Sequence, residues 1–256
     1  MLITSKNNPS LKTLQGLLSE SRLRKKHQQT VLEGTHLLQN LLASHLTPVQ
    51  VIISDSSHTY PEIAELLSAL KDTPVLTVSD GLYKQLRTLG TSLPIMAIID
   101  TPMPAIAPVT SDCLIIDGVQ DTGNLGTLLR TAAATGFHKV LCTTTTASAW
   151  SPKTLRAGMA AHFSLTIYEQ LDATSILTNV KVPLFATSSH AKDTIFAHDL
   201  RAPLALVMGN EGQGVQPALL TVATTIALPQ LGQESLNVAV AGSICLYEVL
   251  RQRHYA

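Results

Sequence analysis

The residues of this chain that could do chemistry are gathered in three polar, glycine-bearing loops, each just after a short apolar run. The first is Asp117-Gly118-Val119-Gln120-Asp121-Thr122-Gly123-Asn124, which continues through Gly126 to Arg130-Thr131-Ala132. The second is Gly209-Asn210-Glu211-Gly212-Gln213-Gly214, and the third runs from Leu228-Pro229-Gln230-Leu231-Gly232 through Ser235-Leu236-Asn237 to Ala241. Singly, each has an ordinary explanation: Asn124 and Ser235 suit helix caps, and Gly209, Gly212 and Gly214 suit a tight turn. Ligands in open α/β sheets collect outside the carboxyl ends of strands, so one site built from all three loops is the economical reading. Other common sites lack an anchor. There is no G-x-x-x-x-G-K-[ST], H-E-x-x-H or G-x-S-x-G pattern, and Gly118, Gly123 and Gly126 do not form the G-x-G-x-x-G of a dinucleotide site. The nine histidines lack ligand spacing, and Cys113, Cys142 and Cys245 are too far apart and odd in number for a zinc pattern or a disulfide framework. No metal is expected.

The elements that must position these loops are legible as apolar periodicity. Leu11, Leu14, Leu17 and Leu18 follow helical spacing, as do Leu37, Leu38, Leu41 and Leu42, and then Ile63, Leu66, Leu67 and Leu70. Between them, residues 29–32, 49–53, 75–78 and 95–99 are β-rich, which gives a small α/β sandwich. Pro102, Pro104 and Pro108 then forbid both helix and central strand, and mark a linker at residues 101–112 between domains at 1–100 and 113–256. In the second domain, Cys113-Leu114-Ile115-Ile116-Asp117 reads as a buried parallel strand, followed by a helix over 125–135 closed by Gly136. Residues 139–143, 183–186, 204–208 and 224–228 supply further strands of a mostly parallel sheet. The last helix, about 237–252, is apolar or small all round and is expected to be buried against the sheet or a second subunit.

Charged residues make up 14% of the chain, well below the roughly 25% usual for soluble domains, which excludes disorder and suggests subunit-facing surface. No apolar window is long enough to span a membrane, and Lys6 interrupts the start before any signal-type stretch, so a soluble, cytoplasmic protein is expected. The net charge is zero but unevenly spread. Residues 1–27 carry six cations against Glu20 alone, a net of +5, and Arg22, Arg24, Lys25 and Lys26 lie within five positions. Such a run is either a solvated face or a phosphate-binding surface.

Taken together and in this order, the three loops resemble the three motifs of the SpoU (TrmH) family of RNA ribose 2′-O-methyltransferases, within the SPOUT superfamily. The match is N-x-G-x-x-x-R-T-A at 124–132, G-N-E-G-x-G at 209–214 and L-P-x-x-G…S-L-N-V-x-V-A at 228–241. Ile3-Thr4-Ser5-Lys6-Asn7-Asn8-Pro9 and Val31-Leu32-Glu33-Gly34 resemble the opening of the family's α/β substrate-binding domain. The resemblance implies an α/β protein: a C-terminal trefoil-knotted, mostly parallel sheet with a smaller N-terminal domain that holds RNA, where Arg22, Arg24, Lys25 and Lys26 contact phosphates. It implies a homodimer through the knotted domain. It also implies S-adenosylmethionine held by Gly209, Asn210, Gly212, Leu228, Pro229, Leu231 and Leu236.

Arg130 is the implied activator of the ribose hydroxyl, with Asn124, Ser235 and Asn237 orienting the ribose or the arginine. Glu211 is read two ways, as a contact to polar ligand groups or as part of its loop. Counted along its helix, Arg130 is expected to reach back toward the first loop. Ribosomal RNA is favoured as substrate over transfer RNA. A catalytically silent RNA-binding relative and a nucleotide-dependent oxidoreductase are the other readings. The chain departs from the family pattern at Ala239, where serine is usual, at Gln230, where methionine is common, and at Arg156-Ala157-Gly158-Met159-Ala160, where R-A-S-M-G is usual.

Overall fold

The structure, a computed structural model, describes residues 2–88, 90, 92–232 and 236–255. The chain divides into two compact units, one of residues 1–102 with Trp150–Phe163, the other of Met103–Ala149 with Ser164–Ala256.

The first unit contains β1 (Leu2–Ile3), α1 (Pro9–Ser19), α2 (Ser21–His27), β2 (Gln29–Glu33), α3 (Thr35–Ala43), β3 (Gln50–Ser54), α4 (Pro61–Ala69), β4 (Val75–Val78), α5 (Asp80–Leu86) and β5 (Ile95–Asp100). Its sheet is mixed, in the order β1-β4-β3-β5-β2, with β5 antiparallel to both its neighbours. Leu11, Leu14 and Leu17 bury the apolar face of α1 against Val31, Ile52, Met96 and Ile98 of the sheet. Each such leucine contributes about 1.5–3 kcal/mol on burial. The two-residue β1 is too short to carry a sequence signal.

Trp150–Phe163 belongs to this unit although it interrupts the second in sequence. The hydroxyl of Thr30, buried in β2, donates to the Trp150 carbonyl at 2.6 Å, and the Trp150 ring meets buried His162 with centroids 5.2 Å apart. The segment holds α7 (Pro152–Ala157) and the departure from R-A-S-M-G. A Cβ on Gly158 would lie 2.6 Å from His162 Cε1 and 3.2 Å from the Thr154 carbonyl oxygen, so glycine at 158 and a buried His162 go together. Ala160 has φ +70° and follows Met159 at +47°, a backbone that costs an L-residue about 1–2 kcal/mol. Nothing in the structure explains alanine at 160. Ala160→Gly is therefore expected to stabilise the protein by about 1 kcal/mol, and Gly158→Ser to destabilise it. Thermal melts of the two variants moving in the same direction would contradict this.

The second unit contains β6 (Cys113–Asp117), α6 (Thr122–Ala134), β7 (Lys139–Thr143), β8 (Thr166–Leu171), α8 (Ala173–Asn179), β9 (Leu184–Thr187), β10 (Ala205–Gly209), α9 (Pro217–Leu220), β11 (Thr224–Ile226) and α10 (Val238–His254). All neighbouring strands are parallel, in the order β11-β9-β10-β6-β7-β8. From β6 the chain steps outward through β7 and β8, then crosses over, so that β10 is inserted between β9 and β6. The direction of winding reverses between β6 and β10. β8 is a strand that the apolar pattern does not announce: it is an edge strand with Glu169 and Gln170 in it, Gln170 has φ +60°, and its pairing with β7 shifts register.

Both ends of α10 are fixed. At its start, Asn237 Oδ1 accepts from the N–H groups of Ala239 and Val240 at 2.9 and 3.2 Å. At its end, Arg253 pairs with Asp112 just before β6 and donates through Nε to the Leu200 carbonyl at 3.0 Å. Gly242 lets α10 approach α6 until Leu128 fills the space a side chain would take. Its opposite face is not covered: Val240, Ile244 and Tyr247 are 49%, 38% and 53% exposed.

Cys113, Cys142 and Cys245 are buried in this unit and their thiols are free. Burial pushes the Cys113 and Cys245 thiols up to about 12 and raises that of Cys142 as well. None should react with a charged thiol reagent near neutral pH while the protein is folded, and all three should react after unfolding. Stoichiometric labelling of the native protein would contradict this.

Candidate active site

The reversal of winding between β6 and β10 creates a crevice at the carboxyl edge of the sheet, where open α/β folds place their ligands. Gly209, the last residue of β10, pairs in register with Asp117, the last of β6, so the first two loops leave the sheet side by side.

Each loop is held by its own bonds. Buried Asp117 accepts from Gln216 twice, from N–H and from Nε2, both at 2.7 Å. Gly118 turns the chain at φ +74°, and its N–H faces the hydroxyls of Thr143 and Thr146 at 3.1 and 3.0 Å. Asp121, not Asn124, caps α6, accepting from the Asn124 N–H at 2.7 Å. In the second loop, Asn210 forms a two-way backbone bridge with Gly214 while its side chain donates to the Gly118 carbonyl at 2.7 Å and accepts from Gly212 and Gln213. Both ends of that amide serve the loop.

With the cap supplied by Asp121, the Asn124 side chain is left to connect the three loops. Asn237 Oδ1 accepts from the start of α10, so its Nδ2 donates, and it does so to Asn124 Oδ1 at 2.9 Å. Asn124 Nδ2 then donates to Glu211 Oε1 at 2.8 Å. The direction of each bond is forced by the one before it. The result is a relay from the α10 N-terminus through two carboxamides to one carboxylate, with one residue from each loop.

Beside it lies a cleft of about 590 Å³. Gly209, Asn210, Glu211, Gly212, Leu228 and Leu236 line it; Pro229 and Leu231 are not among its described walls. Ser235 falls outside the described residues. Residues 187–190, from the last residue of β9 into the loop that follows it, form a wall that the sequence did not single out. Glu211 is the sole carboxylate among the described lining residues. Among the described residues no cluster of three metal-ligating groups is found, and no helix is long and apolar enough to cross a membrane.

Arg130 is not brought into this group. It is exposed on α6, about 9 Å along the axis from Asn124 and two-thirds of a turn round, and no described hydrogen bond joins it to Asn124, Glu211 or Asn237. The expected reach back to its own first loop has no counterpart among the described hydrogen bonds. The basic run lies on α2 in the first unit, which buries no residue. Arg22, Lys25 and Lys26 are exposed there, and half-buried Arg24 donates to the Leu17 carbonyl at 2.9 Å.

Residues 112–247 match the model of the SpoU rRNA Methylase family, and residues 8–97 that of the MRM3-like substrate binding domain. The chain is 32% identical to a Synechocystis protein named as an uncharacterized tRNA/rRNA methyltransferase, with 98% of this chain and 94% of the relative covered. It is 29% identical to the 23S rRNA (guanosine(2553)-2′-O)-methyltransferase RlmP of Bacillus subtilis, covering 96% of this chain and 98% of the relative. Among solved structures, the AdoMet-bound rRNA methyltransferase from Sinorhizobium meliloti superimposes with a TM-score of 0.86 at 25% identity, covering 98% of this chain and 97% of the other.

Proposed function

The chain belongs to the SpoU rRNA methylase family, and on that footing we propose that the three convergent loops carry S-adenosylmethionine-dependent methylation of a ribose 2′-hydroxyl in RNA. The observation that carries this reading is the Glu211–Asn124–Asn237 relay beside the cleft at the winding reversal. The walls fit the cofactor. Ile226, Leu228, Leu236 and Val238 offer apolar surface to a base, a Cβ on Gly212 would make only an ordinary contact with Asn210 Oδ1 at 3.6 Å, and Glu211 complements a cation. When bound, S-adenosylmethionine supplies a methyl group activated on a sulfonium.

The residues of the chain then align the ribose. The relay fixes Asn124 and Asn237 so that their remaining amide capacity can orient a sugar hydroxyl, and alignment alone can supply much of a rate. Arg130 grips a phosphate and stabilises the forming alkoxide. A guanidinium with a pKa above about 12 does not take the proton, which passes to phosphate or water. Pro229, Leu231 and Ser235 remain assigned to the cofactor and ribose by their place in the third motif. Arg22, Arg24, Lys25 and Lys26 on α2 hold RNA backbone. Ribosomal RNA is the favoured substrate because relatives along nearly the whole length are named for it, and the enzyme would work in the cytoplasm beside that RNA. The test is transfer of labelled methyl groups from S-adenosylmethionine to ribosomal RNA lacking the modification, followed by mapping of 2′-O-methyl positions. Transfer to base atoms, or none to ribosomal RNA, would refute the assignment.

A homodimer through the uncovered face of α10 belongs to the same reading. Val240, Ile244 and Tyr247 recur at i, i+4 and i+7, and the Thr131–Ser243 hydroxyl pair at 3.0 Å sets this stripe beside the exposed side of α6 that carries Arg130. A second copy on this face brings Arg130 to the partner's site, which accounts for its separation from its own. The trefoil knot is retained as well, supported by the insertion of β10 between β9 and β6 and the return of α10 onto α6. Ile244→Glu should give a monomer by light scattering; an unchanged dimer would place the interface elsewhere.

A further inference from the structure

The cleft is polarised, and one of its walls has no role in the relay. The loop after β9 is anchored on two sides: the Ser188 N–H donates to the Ile226 carbonyl at 2.9 Å, and the Thr187 hydroxyl faces the Val207 carbonyl at 3.2 Å. Ser188 Oγ accepts from the His190 N–H at 3.2 Å and shapes the turn. His190 is exposed at the cleft, and it is the only side chain among the described lining residues that can carry positive charge. No lysine or arginine lines the described cleft; Lys192, two residues on, is not part of the wall.

Sheet order separates the two charges. Glu211 leans from β10 toward β6, where Asn124 holds it, whereas His190 follows β9, the neighbour of β10 on the opposite side. A ligand with a cation near Glu211 and a carboxylate elsewhere therefore has one complementary seat for that carboxylate. We propose that His190, with the Ser189 hydroxyl beside it, binds the amino-acid carboxylate of the cofactor. This rests on the cofactor assignment above and adds a determinant that none of the three motifs contains. It explains how a cleft with a single fixed carboxylate accepts an amino acid's own carboxylate without repulsion. His190 is a binding residue in this account and takes no part in methyl transfer.

Calorimetry of the full chain with two probes tests it: S-adenosylhomocysteine, which has the carboxylate, and 5′-methylthioadenosine, which lacks the amino-acid arm. For His190→Ala, Kd for S-adenosylhomocysteine should rise about fivefold to tenfold, the scale of one charge-assisted hydrogen bond at a partly exposed site, with Kd for methylthioadenosine unchanged. His190→Gln, which keeps an N–H donor, should recover part of the loss. Equal weakening for both probes, or no change for either, would overturn the proposal while leaving the cofactor assignment intact. Failure of the unsubstituted chain to bind S-adenosylhomocysteine at all would remove both.

Discussion

Gly209→Ala should abolish cofactor binding and destabilise the second unit by about 3 kcal/mol, at the upper end of the cost of forcing an extra carbon into packed structure. The reason is local. A Cβ on Gly209 would sit inside the van der Waals shells of Gly214 C and Val215 N and 2.7 Å from the Gly214 carbonyl oxygen, and all three are backbone. A side chain there could be relieved by rotation, but a peptide that is also bonded in both directions to Asn210 cannot move without opening the loop. Gly212→Ala is the control. Its Cβ would meet nothing closer than Asn210 Oδ1 at 3.6 Å, so stability should change by less than about 0.5 kcal/mol. If the cofactor lies against Gly212, its affinity should nevertheless fall at least about tenfold, because the added methyl occupies the ligand's side of the loop. Thermal melts combined with calorimetry separate the two glycines. Equal loss of stability would show that both serve only the turn.

Two neighbouring glycines of one motif thus have different causes, and the sequence could not tell them apart. The motif spacing located the loops because a buried parallel strand reads as an unbroken apolar run, as in Cys113-Leu114-Ile115-Ile116, and because the turn residues stand directly after it. What it could not locate depends on strand order. Residues 187–190 enter the cleft only because β9 neighbours β10, a relation set by the crossover and not by any local pattern. Trp150–Phe163 joins the first unit through the Thr30 hydroxyl and the burial of Trp150 and His162, and the Thr143–Thr146 run before it reads as a loop without showing which unit the chain enters next. Asn124 illustrates the same limit at the scale of one side chain. Its position fits a cap, and only the presence of Asp121 three residues earlier frees it to bridge Glu211 and Asn237.

Arg130→Lys should lower kcat by about 10²–10³ while leaving S-adenosylhomocysteine affinity unchanged, as expected for loss of one donor to developing charge. Lysine keeps the charge but loses the planar fork that grips a phosphate oxygen pair. Arg130 is exposed and has no described hydrogen bond, so the melting temperature should not move, and a fall in kcat cannot be ascribed to folding. Its placement adds a sharper expectation. In one chain, Arg130 stands apart from the relay, beside the uncovered stripe of Val240, Ile244 and Tyr247. If a second copy covers that stripe, each site is built from the loops of one chain and the arginine of the other. Arg130→Ala and Asn237→Ala proteins are then each inactive alone, but mixed dimers contain one site in which both residues are present. Random reassortment makes half of the dimers mixed, each with one of two sites intact, so activity should recover to about a quarter of the unsubstituted level. Loss of kcat without recovery on mixing would return Arg130 to its own chain's site and require α6 to move toward the relay when RNA binds. Full activity of Arg130→Lys would remove the arginine from the chemistry altogether.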